Sequence, residues 1–355
     1  MLKVFLRSMK ISALFALIIA AVLGFALSGE SAEKRVNPKF VNGKLDKPFT
    51  LRSPTMSGFN EIYIGDQLGF YKEVGLNIEY TGSMTGSMLA QSVIKGDNDL
   101  FGTGHILTIA KAREAGAKIK MVLQGSFDDP EPRKIHMSYL VRDDSPIKTA
   151  KDVIGKKVSI AYVGSCVELL FSEWLRQNGI KREQVEWVVM PDAQAENALR
   201  TGAIDVAGIH AVFVATAISR GGVHSLVNTW QIGTAAGNGP ASSYSSRAFS
   251  EDFINNYPDV VKAYIAATVK TQHWINKNYD KAIEIAAEYL KVDKSKAGGT
   301  VFPPEFGIDP KKVDFWIKMM EENGFVKPGS AKPSELYTNS LNPYISGELK
   351  QVDNF

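Results

Sequence analysis

The chain has 355 residues, with 41 Lys plus Arg against 38 Asp plus Glu, five His and a single Cys. Apolar residues at 45% and charged residues at 22% exclude a disordered or low-complexity chain. One cysteine excludes a disulfide framework and any cysteine-only metal cage, and the length calls for two domains or one large one.

The net charge of +3 sits at the front, where residues 1–28 hold Lys3, Arg7 and Lys10 and no acid. Removing these three leaves 38 basic against 38 acidic residues, so the charge gives no reason to expect a nucleic-acid partner. A basic start, an apolar run of 17 residues from Ile11 to Leu27 and small residues at Ala26 and Ser28 have the plan of a cleaved export signal over 1–28. The rival is an uncleaved anchor, for which 17 residues is short. No cysteine stands near the cleavage site for a lipid. The expected product is exported to the periplasm, with a polar tail over 29–48 and a folded part from Phe49.

Two stretches then follow one plan. The first predicts strand Phe49–Arg52, a turn and a helix ending at Gly69 to Gly75, then strand Asn77–Tyr80 and a helix closing on Lys95–Asp99. Strand Leu100–Phe101, turn Gly102–His105 and a helix to Gly116 complete it. The second predicts strand Lys157–Ala161, a helix to Gly179, strand Val185–Val189 and a helix closing on Arg200–Asp205. Strand Val206–Ala207, turn Gly208–His210 and a helix to Gly221–Gly222 follow. Gly96 and Gly202, Asp99 and Asp205, and Gly102 and Gly208 all stand 106 positions apart. Alternating strands and helices predict an α/β chain with a parallel sheet in each of two similar lobes, against one doubly wound domain whose units look alike by chance.

Lobe I is expected over 49–139 plus 240–355 and lobe II over 142–232, with crossings near 138–143 and 230–245. Beyond Ser250 the spacing predicts helices at Pro258–Asn276, Tyr279–Leu290 and Pro310–Glu322, packed back on the first lobe.

In such sheets ligands bind where the carboxyl ends of strands meet helix N-termini. The loops there are rich in Gly, Ser and Thr and carry no Lys or Arg. Candidate ligand residues are Thr55, Met56, Asn60, Ser83, Met84, Thr85, Thr103, His105, Tyr162, Gly164, Ser165, Asp192 and His210. Ser83–Ser87 and Gly164–Ser165 read as anion cradles, since free N–H groups at a helix start favour negative charge; Ser and Thr there are equally ordinary N-caps. His105 and His210 hold matching places and either face a cleft or serve as capping histidines.

Catalytic patterns are sparse. The histidines lack metal-ligand spacing, Ser165 lacks a nucleophile elbow, and phosphate-loop and dinucleotide fingerprints are absent. No cofactor and no metal is expected. Cys166 at a helix start is either a nucleophile or a small buried residue.

The run Gly65–Gly75 followed by Leu76-Asn77-Ile78-Glu79, then Lys95-Gly96…Asp99, Val141–Ser145, Asp152–Val158, Gly164-Ser165 and Gly202…Asp205, resembles the sulfonate/taurine/nitrate-type solute-binding proteins of ABC importers. The resemblance runs from Phe49 to Gly222 and more weakly to residue 320. It implies a two-lobed type II periplasmic-binding-protein fold, with parallel or mixed sheets flanked by helices and a ligand cleft between lobes. It also implies a monomer that captures a small anionic organic molecule, sulfonate-like, and delivers it to an ABC permease in the inner membrane. Nitrate, an aromatic carboxylate or a neutral heterocycle are alternative ligands. Related enzymes that make a thiamin pyrimidine carry a cysteine-rich motif that is missing here. The chain departs from the family pattern at His210-Ala211 and in the long loop 128–132. Two other roles stay open: an exported enzyme using Cys166 or His210, and a receptor presenting ligand to a membrane sensor.

Overall fold

The computed structural model describes residues 35–351 apart from 57, 85, 295 and 296, so the expected export signal lies outside the described residues. Among those described, no helix is long and apolar enough to cross a membrane. The fold begins ahead of Phe49. Strands β1 (Phe40–Val41) and β2 (Lys44–Leu45) form a hairpin whose Leu45 is buried and donates its N–H to Val74 O at 3.0 Å.

The first half supplies β3 (Phe49–Thr55), α1 (Glu61–Gln67), α2 (Phe70–Glu73), β4 (Leu76–Ser83), α3 (Gly86–Lys95), β5 (Leu100–Phe101), α4 (Ile106–Glu114) and β6 (Ile119–Gln124). The chain then crosses into β7 (Met137–Arg142), β8 (Lys157–Ile160), α5 (Cys166–Gln177), β9 (Glu186–Val189), α6 (Asp192–Arg200), β10 (Val206–His210), α7 (Ala211–Ser219), β11 (Val223–Asn228) and α8 (Thr229–Ala235). It returns through β12 (Ser246–Ser250) to α9 (Glu251–Asn256), α10 (Pro258–Lys277), α11 (Tyr279–Leu290), α12 (Pro310–Glu322) and α13 (Pro333–Leu336).

The second lobe's sheet runs β11-β7-β10-β8-β9. Strand β8 is parallel to β9 and β10, while β7 is antiparallel to β10 and β11. In the first lobe β3 and β4 are parallel, and β12 lies antiparallel between β5 and β6. Asp99 N–H to Arg52 O, at 3.0 Å, ties β5 to β3. The first lobe holds a three-stranded sheet β5-β12-β6 and the pair β3-β4, and this tie sets them in the order β6-β12-β5-β3-β4, the succession seen in the second lobe. Each lobe thus combines parallel and antiparallel pairing, because each receives one antiparallel strand from a crossing: β7 in one lobe, β12 in the other. Sequence spacing did not show β6, β11 or β12.

The repeat has a structural cause at each of its three positions. Gly96 and Gly202 both take φ near +80° (+80° and +75°), the left-handed turn that ends α3 and α6. Asp99 and Asp205 bond the neighbouring strand. Gly102 and Gly208 admit a helix: a Cβ would stand 2.6 Å from Ile62 of α1 at the first and 2.4 Å from Val167 of α5 at the second.

Helix α10 is buried along most of its length and packs on α1 so closely that a Cβ at Gly65 would meet Thr271 Oγ1 at 2.3 Å. Helix α12 does not stay with the first lobe. Beside it Asn323 donates to Glu173 Oε2 at 2.7 Å, and its Glu322 meets Arg176 at 2.9 Å, both on α5 of the second lobe. Its buried Trp316 donates Nε1–H to Ala241 O at 2.7 Å in the second crossing. The tail therefore spans both lobes, and one apolar cluster runs from Leu89 and Phe101 through Val158 and Leu170 to Trp316.

Candidate functional site

The carboxyl ends of β5 and β10 bring their histidines to the same face of the molecule. His105 caps α4: its Nδ1 accepts from Leu107 N at 3.3 Å, and its ring packs edge-on to Trp316 with centroids 4.0 Å apart. Burial pushes its pKa down to about 3, with nearby His210 adding to the effect, so the ring is neutral. A neutral imidazole that accepts through Nδ1 carries its hydrogen on Nε2. That Nε2–H is buried and has no hydrogen-bond partner among the described residues.

His210 precedes α7 at the equivalent place in the second lobe, and its surroundings differ. Asp192, the first residue of α6, accepts from His210 Nδ1 at 2.5 Å and from His210 N at 3.2 Å. The other ring nitrogen, Nε2, faces Cys166 Sγ at 3.6 Å. Burial opposes charge on His210, but the Asp192 carboxylate and the Cys166 sulfur outweigh it and hold the pKa well above 6.5. His136, just before β7, stacks edge-on to His210 with centroids 5.1 Å apart. Burial first, then the neighbouring His210 and His105, keep it well below 6.5.

Tyr162 joins this group from the β8–α5 loop. Burial, reinforced by Cys166, raises its phenol to about 12, and it faces Thr108 of α4 across the lobes. On the first-lobe side Ser126, Ser243 and Ser245 form a hydroxyl chain, with Ser243 Oγ to Ser126 Oγ at 2.8 Å and Ser126 Oγ to Ser245 Oγ at 3.0 Å. Ser245 bridges to His105 and accepts from Arg247 Nη1 at 3.2 Å. Gly125 makes this possible: a Cβ there would lie 2.2 Å from Ser245 Oγ.

The remaining sequence candidates have other employment. Met56 is buried in the first lobe's core against Gly102. Asn60 caps α1, accepting from Ile62 N at 2.8 Å and donating to Gly102 O at 3.2 Å. Thr55 and Thr103 are half-buried and Ser83 is exposed, while Met84 Sδ accepts from Asn98 Nδ2 at 3.6 Å. Thr85 lies outside the described residues.

The Gly164–Ser165 cradle is filled from within the chain. Gly164 N–H donates to Glu168 Oε2 at 2.6 Å, and Ser165 Oγ accepts from Glu168 N at 3.3 Å. Glu168 is itself buried and paired with Arg182. Of the two groups read from sequence as a place for an external anion, Gly164 N–H already holds an internal carboxylate and Ser165 Oγ already caps the helix. Sequence reasoning did not reach His136 or the serine chain. The local signal for His136 was its place beside the crossing expected near 138–143.

A "Putative aliphatic sulfonates-binding protein" of Escherichia coli (strain K12) is 32% identical over 141 residues, 40% of this chain, and the match spans 42% of that relative's length. The alkanesulfonate-binding protein SsuA of Xanthomonas axonopodis pv. citri, solved bound to MOPS, superimposes with a TM-score of 0.67 at 15% identity, covering 82% of this chain and 99% of that one. The desulfurization enzyme DSZB has a similar fold, with a TM-score of 0.59 at 13% identity over 84% of this chain and 99% of its own. The strand order, its two crossings and the solved neighbours agree on a periplasmic-binding-protein architecture. The NMT1/THI5-like family model matches residues 57–282, more than half of the sequence, and the chain belongs to that family.

Proposed function

We propose that this protein is an exported solute receptor that closes its two lobes on a small organic anion with a sulfonate-like head and delivers it to an ABC permease in the inner membrane. The observation that carries the reading is His105, whose buried Nε2–H lacks a partner among the described residues and calls for an oxygen acceptor. The hydroxyl chain Ser243–Ser126–Ser245 beside it leaves one more hydroxyl hydrogen to donate. Two lobes joined by two crossings suit hinge closure on such a ligand. The names of the Escherichia coli and Xanthomonas relatives support the sulfonate head. Periplasmic location accords with the export signal read in residues 1–28.

The test is thermal shift and calorimetry with alkanesulfonates, taurine, nitrate and aromatic carboxylates. A sulfonate is expected to raise the melting temperature, and His105→Asn, which keeps an N-capping oxygen, is expected to weaken its binding over tenfold. No shift with any of these anions overturns the reading.

A second reading has an observation of its own. Cys166, His210 and Asp192 stand in the order of a nucleophile, a base and a carboxylate that orients the base. An exported enzyme built this way turns over its ligand, and Cys166→Ala abolishes that turnover; ligand recovered unchanged from the wild type removes this alternative.

A further inference from the structure

The order β7-β10-β8 brings together three residues that are far apart in sequence. His136 precedes β7, whose Met137 is registered against His210 at the end of the neighbouring β10. Cys166 opens the helix that follows β8, the strand on the other side of β10. One ring nitrogen of each histidine and the Cys166 sulfur all lie within 4.8 Å of one another. We propose that His136, Cys166 and His210 form a three-ligand site for a thiophilic transition-metal ion of the zinc class, with a coordination position left for an anion.

Two imidazoles and a thiolate suit zinc or its borderline-soft neighbours and do not suit magnesium or calcium, which prefer oxygen. Metal–ligand bonds of about 2.0–2.3 Å at tetrahedral angles place ligand atoms about 3.5 Å apart. The Cys166–His210 separation of 3.6 Å already has that value, and movement of about 1 Å closes the widest gap in the set.

The outer shell is in place as well. Asp192 accepts from His210 Nδ1 at 2.5 Å and so turns Nε2 toward Cys166, the carboxylate–histidine arrangement that orients metal-bound imidazoles.

The site also accounts for a feature of the cleft. The strand-end loops carry no Lys or Arg, so anion recognition there lacks a fixed side-chain cation of that kind. A divalent ion that displaces the proton from His210 Nε2 and binds one thiolate and two imidazoles leaves the group positively charged, and three protein ligands leave a fourth position open. The metal site does not depend on the identity of the organic ligand.

The test uses the full exported chain, treated with EDTA and then titrated with Co2+ and displaced by Zn2+, with no organic ligand present. One equivalent is expected to bind, with the visible bands of tetrahedral cobalt and a near-ultraviolet thiolate-to-cobalt charge-transfer band. Cys166→Ser should remove the charge-transfer band and weaken Zn2+ binding over tenfold, and His136→Gln should weaken it at least tenfold. Asp192→Asn, a positioning change, should weaken it about tenfold. His224→Ala should leave it unchanged, since His224 pairs with Asp143 elsewhere in the second lobe. Circular-dichroism melts of each variant separate lost ligation from lost folding. No saturable binding in the micromolar range, or binding that a folded Cys166→Ser variant leaves intact, overturns the proposal. Sulfonate binding by EDTA-treated protein would leave the receptor reading standing alone, so the two readings fail separately.

Discussion

Asp99 and Asp205 do the same work in the two lobes. Asp99 Oδ2 accepts from Arg52 N at 2.8 Å, and Asp99 N–H returns a bond to Arg52 O at 3.0 Å. Asp205 Oδ2 accepts from Lys157 N at 2.9 Å, and Asp205 N–H returns one to Lys157 O at 2.9 Å. Each aspartate thus ties two strands of its lobe by a reciprocal pair of bonds, β3 to β5 in the first and β8 to β10 in the second. The lobes differ in what else the carboxylate holds. Asp99 also pairs with the Arg52 guanidinium at 2.8 Å and is nearly buried. Asp99→Ala is therefore expected to cost about 2–3 kcal/mol and Asp205→Ala about 1 kcal/mol, measured by urea unfolding. Equal losses would show that the guanidinium contributes nothing.

This repeat was legible in sequence because a Gly-ended helix and a strand-bridging Asp are local devices that recur with local spacing. The helices of the tail were legible for the same reason, and Tyr279–Leu290 and Pro310–Glu322 fall where apolar periodicity places them. The crossing strand β12 was not. Its residues Ser246-Arg247-Ala248-Phe249-Ser250 show no strand-like alternation of polar and apolar residues, and all but Ser250 are buried. An arginine can sit in the core there because its partner Glu61 comes from 186 positions away. The site followed the same division. His105 and His210 carried a local signal, a histidine at the mouth of a strand–helix turn. The grouping of His136 and Cys166 with His210 depends on strand order, which spacing along the chain does not contain.

The Glu61–Arg247 pair is buried on both sides. Nε and Nη2 of Arg247 donate to the two carboxylate oxygens at 2.8 and 2.5 Å, and Gln272 adds a bond to Glu61 Oε1 at 2.9 Å. Removing one member strands a buried charge, so Glu61→Ala is expected to cost about 3–5 kcal/mol. The paired change Glu61→Leu with Arg247→Met should recover part of that loss, because no charge is then left without its partner. Urea unfolding of both variants decides the point, and a double variant less stable than the single one contradicts it.

Ser165 separates capping from recognition. Its Oγ accepts from Glu168 N at the start of α5, a bond whose loss in Ser165→Ala should cost about 1 kcal/mol. The hydroxyl is committed to that cap, and the adjacent Gly164 N–H to Glu168. Ser165→Ala should accordingly lower the melting temperature while leaving ligand affinity within about twofold. A large loss of affinity in a folded variant would restore Gly164–Ser165 as the anion cradle read from sequence.

Asp128 joins the two crossings. It accepts from His136 N at 2.8 Å and from Ser242 Oγ at 2.9 Å, and Thr229 at the start of α8 donates its hydroxyl to the same carboxylate. Burial dominates over these donors and raises its pKa from 3.8 to about 6. The folded state therefore holds the proton more tightly than the unfolded chain. The resulting stability is fully present below pH 3.8 and is lost as the pH rises through about 6. Its size is at most about 3 kcal/mol. Asp128→Asn has no proton to lose, so the wild type's stability relative to this variant should fall by about 2–3 kcal/mol between pH 4 and pH 7. Urea unfolding of both proteins across that range measures the difference. A gap that stays constant would mean that Asp128 is ionised in the fold throughout, held in spite of burial by these three donors and by Asp129 N–H at 3.3 Å.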